Sequence, residues 1–183
     1  MAARGDRSLN KKWRYNQMKH TSTRQLTVAA LVGALYVVLS YFGNIFGLTY
    51  GPVQFRFAEA LTVLPFLSPV TTWGLFVGCI VSNLLSPYGL PDLIFGSLAT
   101  LLAGLLTARC PSKWLAPLPP VLCNGLIVGG LLAWYQTGFG PGFLTAFLFN
   151  GGTVALGELV VCYVLGMLLL ELLPRTGVLP RRR

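Results

Sequence analysis

An all-α integral membrane protein of six transmembrane helices, with both termini in the cytoplasm, is the fold class this chain predicts. Three observations carry it. The 183 residues are 54% hydrophobic and 10% charged, against about 25% charged in a soluble domain. Mean hydropathy is +0.66. No charged residue lies between Arg24 and Arg56, nor between Glu59 and Asp92. Such spans suit a hydrocarbon core that takes about 20 apolar residues to cross as a helix. The cations collect instead at the ends. Seven of the 14 Lys and Arg lie in residues 1–24 and four in residues 175–183. That distribution marks cytoplasmic flanks of membrane spans rather than a nucleic-acid surface, despite the net charge of +9. A β-barrel is excluded because the apolar runs are continuous rather than alternating.

The first helix is expected at about 23–46, with Thr21, Ser22 or Thr23 as N-cap. Its apolar run from Leu26 to Leu48 is too long for a signal peptide, so it reads as a retained span. The second helix, about 54–67, is short and closed by Ser68-Pro69. The third runs to Ser86-Pro87 from about 70. The fourth, about 91–108, opens on Pro91 and Asp92, which suit a helix start through fixed φ and the dipole. The fifth, about 115–136, has Pro117, Pro119 and Pro120 crowding its beginning. A glycine-rich turn at 138–142 leads to the sixth, about 143–172. Residues 1–20 read as a basic, disordered tail, 21–174 as the membrane domain and 175–183 as a second basic tail. Residues 1–17 are expected to be dispensable.

Loop charge fixes the topology. With a cytoplasmic N-terminus, Arg109 and Lys113 fall in a cytoplasmic loop. The opposite loops, 47–52, 87–90 and 137–142, carry no Lys or Arg. All loop positives then sit on one side.

Against this background a few polar residues stand out. An ionisable group at membrane depth costs at least ~2.5–3.5 kcal/mol on insertion scales, so it usually lines a site or a path. The candidates are Gln54, Arg56, Glu59, Asn83, Asp92, Asn124, Asn150 and Glu158. Arg56 and Glu59 are spaced i, i+3 and share a helix face. They can pair structurally, pinning the second helix, or form a ligand wall. Asp92 and Glu158 have no second buried cation, and unpaired carboxylates want donors. Gln54, Arg56, Asn83, Asp92 and Asn150 fall near the outer ends of their helices, with Glu59 and Glu158 deeper. That pattern describes a pocket open to the outside. Tyr50, Phe55, Phe57, Tyr88, Phe95, Trp134 and Tyr135 interleave with it, and an aromatic face suits a flat heterocycle. Trp134 and Tyr135 also fit an interfacial belt. The first helix shows no deep polar residue.

Small residues recur at i, i+4: Ala29/Gly33, Ala30/Ala34, Gly74/Gly78 and Gly125/Gly129. Such faces let helices approach closely. The Ala30/Ala34 stripe can instead face a partner. Cys79, Cys110, Cys123 and Cys162 show no metal spacing and read as reduced packing residues. There is no Walker motif, no His-bearing metal set and no nucleophile–base pair, so no enzyme, metal or cofactor is expected in this chain.

The run Pro52-Val-Gln-Phe-Arg-Phe-Ala-Glu-Ala-Leu-Thr-Val-Leu-Pro65, with Gly78-Cys-Ile-Val-Ser-Asn83, the segment from Asp92 to Leu102, and Gly157-Glu158, resembles the QueT family over about residues 19–173. Those are substrate-binding S components of energy-coupling factor (ECF) transporters assigned to queuosine precursors. The resemblance implies a six-helix S component in the bacterial plasma membrane with an outward-facing pocket. It implies a transmembrane coupling protein (EcfT-like) and two cytosolic ATPases that hydrolyse the ATP. It also implies that Ala30 and Ala34 dock the coupling protein. A 7-deazaguanine base such as 7-aminomethyl-7-deazaguanine or queuine offers adjacent N–H donors that a carboxylate accepts. Glu158 or Glu59 is expected on that edge, Asp92 on the aminomethyl group or as a loop anchor, and Asn83, Asn124 and Asn150 around the base. An S component for another vitamin-like molecule and a stand-alone secondary carrier stay open as alternatives.

Overall fold

The computed structural model describes residues 3–47, 55–84 and 86–179, with side chains from Thr23 onward. Among these all the regular secondary structure is helical. The helices are α1 (Ala3–Ile45), a 3-10 helix (Phe57–Phe66), α2 (Thr71–Asn83), α3 (Leu90–Thr107), α4 (Leu118–Thr137) and α5 (Phe143–Arg175). Four are long and apolar enough to cross a membrane: Thr23–Ile45 within α1, α3, α4 and α5. Large apolar side chains cover the outer surface, among them Val38, Leu98, Leu126, Leu148 and Val164, all more than 40% exposed. A soluble protein does not present so continuous an apolar exterior. The molecule is a multi-pass membrane protein.

Two sequence expectations change. The backbone of α1 starts at Ala3 rather than near 23. The second helix is not α-helical. Pro65 lies inside it, and in α-geometry its ring would clash with the carbonyl four residues back. The tighter 3-10 winding rises about 2.0 Å per residue instead of 1.5 Å. Ten residues thereby reach roughly 20 Å, which gives this short segment more depth than its length suggests. Every residue from Ala58 to Phe66 is buried. An all-round apolar helix belongs at a core. This one occupies it, in contact with α1, α2, α3 and α5.

Around it α1 packs on α2, α2 on α3, α3 on α4 and α4 on α5. The α1–α2 contact uses the expected small residues. A Cβ on Gly33 would lie 2.6 Å from the Gly74 carbonyl oxygen, and one on Gly78 equally close to the Gly33 oxygen. Gly125 and Gly129 likewise admit Gly151 of α5. Gly138 ends α4 at φ 59°, a region L side chains avoid, and its N–H bonds the Trp134 carbonyl at 2.8 Å.

Charge at one end of the bundle is physically collected. Arg24 Nη2 donates to the carbonyls of Gly177 at 2.5 Å and Val178 at 3.3 Å. Lys113 Nζ donates to Glu171 Oε1 at 3.0 Å. The start of the apolar part of α1, the α3–α4 loop and the end of α5 therefore share one end.

Candidate functional site

The buried ionisable groups meet around the N-terminal turn of the 3-10 helix. Glu59 is fully buried there. Its Oε1 accepts from the Tyr36 hydroxyl at 2.5 Å and lies 3.8 Å from Arg56 Nε. The Arg56 side chain is 11% exposed. The i, i+3 pairing read from sequence thus exists, but as a loose contact rather than a hydrogen-bonded fork. Glu59 Oε2 is buried and has no hydrogen-bond partner among the described residues.

Glu158 on α5 is 2% exposed. Its Oε1 accepts from Asn124 Nδ2 of α4 at 3.0 Å. The charges of Glu59 and Arg56 both bear on it. Cys162, one turn further along, sits between the Glu158 carboxylate and the backbone of the 3-10 helix at Glu59. Its Sγ lies 3.4 Å from the Glu59 carbonyl oxygen and 3.6 Å from Glu158 Oε2. A carboxylate only accepts, so Asn124 must turn its amide nitrogen to Glu158. That leaves Asn124 Oδ1 buried and, like Glu59 Oε2, without a partner among the described residues.

Local backbone geometry places these groups. Asn124 opens a π-helical turn, Asn124–Val128, inside α4. A second, Val161–Gly166, contains Cys162 and follows Glu158 by two residues. Such turns rotate the helix face and recur at functional sites.

Asn83 and Asp92 form an adjoining group. Asp92 is 3% exposed and its Oδ2 accepts from Ser86 at 2.5 Å. Asn83 Nδ2 donates to the Asp92 carbonyl at 3.2 Å. Together they pin the α2–α3 connection. Asn83 also reaches Cys79 Sγ at 3.4 Å, as Thr100 Oγ1 does at 3.3 Å and the Tyr36 hydroxyl at 3.5 Å. Both buried thiols therefore join polar networks rather than merely filling space.

Asn150 stands apart. It exchanges hydrogen bonds with Gln136 of α4 at 2.8 and 3.3 Å and donates to the Ala146 carbonyl at 2.8 Å. Two turns of α5, about 12 Å, separate it from Glu158. Gln54 and Tyr50 lie outside the described residues. Tyr135 donates to the Tyr88 carbonyl, and their rings lie 5.3 Å apart. Ala30 and Ala34 are exposed on α1, beside Leu31 and Leu35, while Ala29 and Gly33 face α2.

One participant escaped the sequence reading. Tyr36 is fully buried at the middle of the apolar part of α1, so the first helix does carry a deep polar residue. The available signal was the phenol itself, since a buried Tyr usually finds a partner for its hydroxyl.

The chain matches the QueT transporter family model over residues 26–175. It belongs to the QueT transporter family. A transporter, not an enzyme, is what that membership names. Within the family's curated members, the chain is similar to "Queuosine precursor transporter QueT" of Lactococcus lactis subsp. cremoris (strain MG1363), 37% identical over 84 residues. That match covers 46% of this chain and 49% of the relative, so it spans about half of the relative's length. No solved structure matches this QueT family chain.

Proposed function

We propose that this protein is the substrate-binding S component of an ECF-type importer and takes up a queuosine precursor, a 7-deazaguanine base such as 7-aminomethyl-7-deazaguanine or queuine. The observation that carries the reading is the surplus of buried acceptors. Among the described residues, Glu59, Asp92 and Glu158 are buried with one largely buried cation, Arg56. Of the four buried side-chain atoms without a partner among the described residues, two, Glu59 Oε2 and Asn124 Oδ1, belong to this group. Buried polar groups are normally satisfied, so the missing donors are those a ligand brings. A guanine-type edge brings adjacent N–H groups, and an aminomethyl group brings positive charge. The family membership and the name of the Lactococcus relative point the same way.

Glu59, Asn124, Glu158 and Arg56 form the ligand wall in this reading. Asp92 and Asn83 anchor the α2–α3 connection beside it, and Asn150 fastens α4 to α5. Six crossings with both termini in the cytoplasm fit the charge gathered at Arg24, Lys113 and Arg175. The exposed Ala30/Ala34 face is the docking surface for a transmembrane coupling protein, which two cytosolic ATPases drive. No cofactor is assigned to this chain.

Binding of 7-aminomethyl-7-deazaguanine to the purified, detergent-solubilised protein tests the substrate. Glu158→Gln is expected to weaken it. No binding of any deazaguanine base would sink the substrate assignment. Uptake in cells lacking the coupling protein and ATPases would sink the S-component assignment instead.

A further inference from the structure

Glu59 presents its two oxygens unequally. Oε1 faces Tyr36 and Arg56, while Oε2 is buried and without a partner among the described residues. The Tyr36 hydroxyl, at 2.5 Å, is the closest group holding Oε1. Tyr36 is itself fixed. It is fully buried, packed in the core cluster with Leu75, Cys79 and Leu61, with its hydroxyl 3.5 Å from Cys79 Sγ. A carboxylate with one oxygen held by a rigid donor cannot turn about its terminal torsion, which is otherwise broad. Its second oxygen then becomes an acceptor of fixed direction.

We infer that Tyr36 is a specificity-determining positioning residue, locking Glu59 so that Oε2 accepts one N–H donor of the ligand. This rests on the importer reading given above. Tyr36 makes no ligand contact in this scheme. It sets which ligand donor is worth having, because a fixed acceptor rewards a matching donor and penalises its absence. Glu59 also becomes monodentate toward the ligand, since Oε1 is already engaged.

Affinities of purified wild type and Tyr36→Phe are measured for 7-aminomethyl-7-deazaguanine and three analogues. Each analogue lacks one donor: the exocyclic amine, the N1–H or the aminomethyl group. In wild type, loss of the donor that Glu59 reads is expected to cost roughly tenfold or more in Kd, the scale of a hydrogen bond to a charged group. Tyr36→Phe is expected to shrink the penalty for that one analogue several-fold and to leave the other two penalties unchanged. An equal loss across all four ligands means a purely structural tyrosine and overturns the proposal. So does an unchanged profile. Wild type that binds none of the four overturns the importer reading itself, a separate result. Glu59→Asp supplies a second variant if Tyr36→Phe is not recovered folded. It keeps the charge but draws the carboxylate away from Tyr36, and it is expected to lose the same single discrimination. A uniform loss there counts against the proposal.

Discussion

Gly33 of α1 and Gly74 of α2 meet backbone to backbone: a Cβ on Gly33 would lie 2.6 Å from the Gly74 carbonyl oxygen. A Cβ on Gly74 would in turn run into the Ala29 carbonyl. Backbone cannot yield as a flexible side chain does. Gly74→Ala is therefore expected to destabilise the protein by about 1–3 kcal/mol, the usual cost of overpacking. Gly152 has nothing within 4 Å of its would-be Cβ, so Gly152→Ala is the matched control. Thermal unfolding in detergent should show a lower Tm for the first and no loss for the second.

Arg56 is the cation set against three buried carboxylates. Arg56→Met is expected to lower Tm, because Glu59 and Glu158 then face each other without it. Adding Glu59→Gln should recover part of the loss. A coupling of about 0.5–3 kcal/mol between the two changes is expected for groups in one network. Strict additivity in that double-mutant cycle would show that the 3.8 Å contact carries no energy.

Asn124 is held by its amide nitrogen on Glu158 at 3.0 Å. Asn124→Asp replaces that donor with a second carboxylate. The variant is expected to bind ligand at least about tenfold more weakly, the scale of a lost charge-assisted bond. Combining it with Glu158→Gln restores a donor–acceptor pair in reverse. Titration of both variants checks whether binding returns.

Lys113 and Glu171 form a pair whose side chains are 43% and 51% exposed. Solvent screens such pairs and side-chain entropy opposes them. Lys113→Ala is expected to leave Tm within error of wild type. A clear drop would mean the α3–α4 loop depends on that contact.

The sequence made some of this legible for physical reasons. The opening of α3 could be read because Pro91 and Asp92 obey helix-start rules, and Pro91 indeed sits in the first turn with Asp92 buried behind it. The small-residue stripes were legible because close packing leaves a spacing. Asp92 as a loop anchor is one of two readings, and the Ser86 hydroxyl on its carboxylate at 2.5 Å supports that one. The 3-10 winding of the second helix was not legible, since a single internal proline reads equally well as a helix end. Tyr36 was hidden because a tyrosine among apolar residues scores as apolar. The partner of Asn150, Gln136, was not legible because it lies on another helix, and only tertiary packing joins them.

The π turn at Val161–Gly166 has a consequence for how α5 is used. A π turn inserts one residue into the helical count, which turns everything beyond it by about 100°. The half of α5 before it packs on α4, and the turn itself packs on the central 3-10 helix. One rod thus keeps two different neighbours in register, as a camshaft carries lobes set at different angles. Removing a single residue from that stretch would straighten the count. The thiol of Cys162 would then no longer reach both the Glu158 carboxylate and the Glu59 carbonyl oxygen.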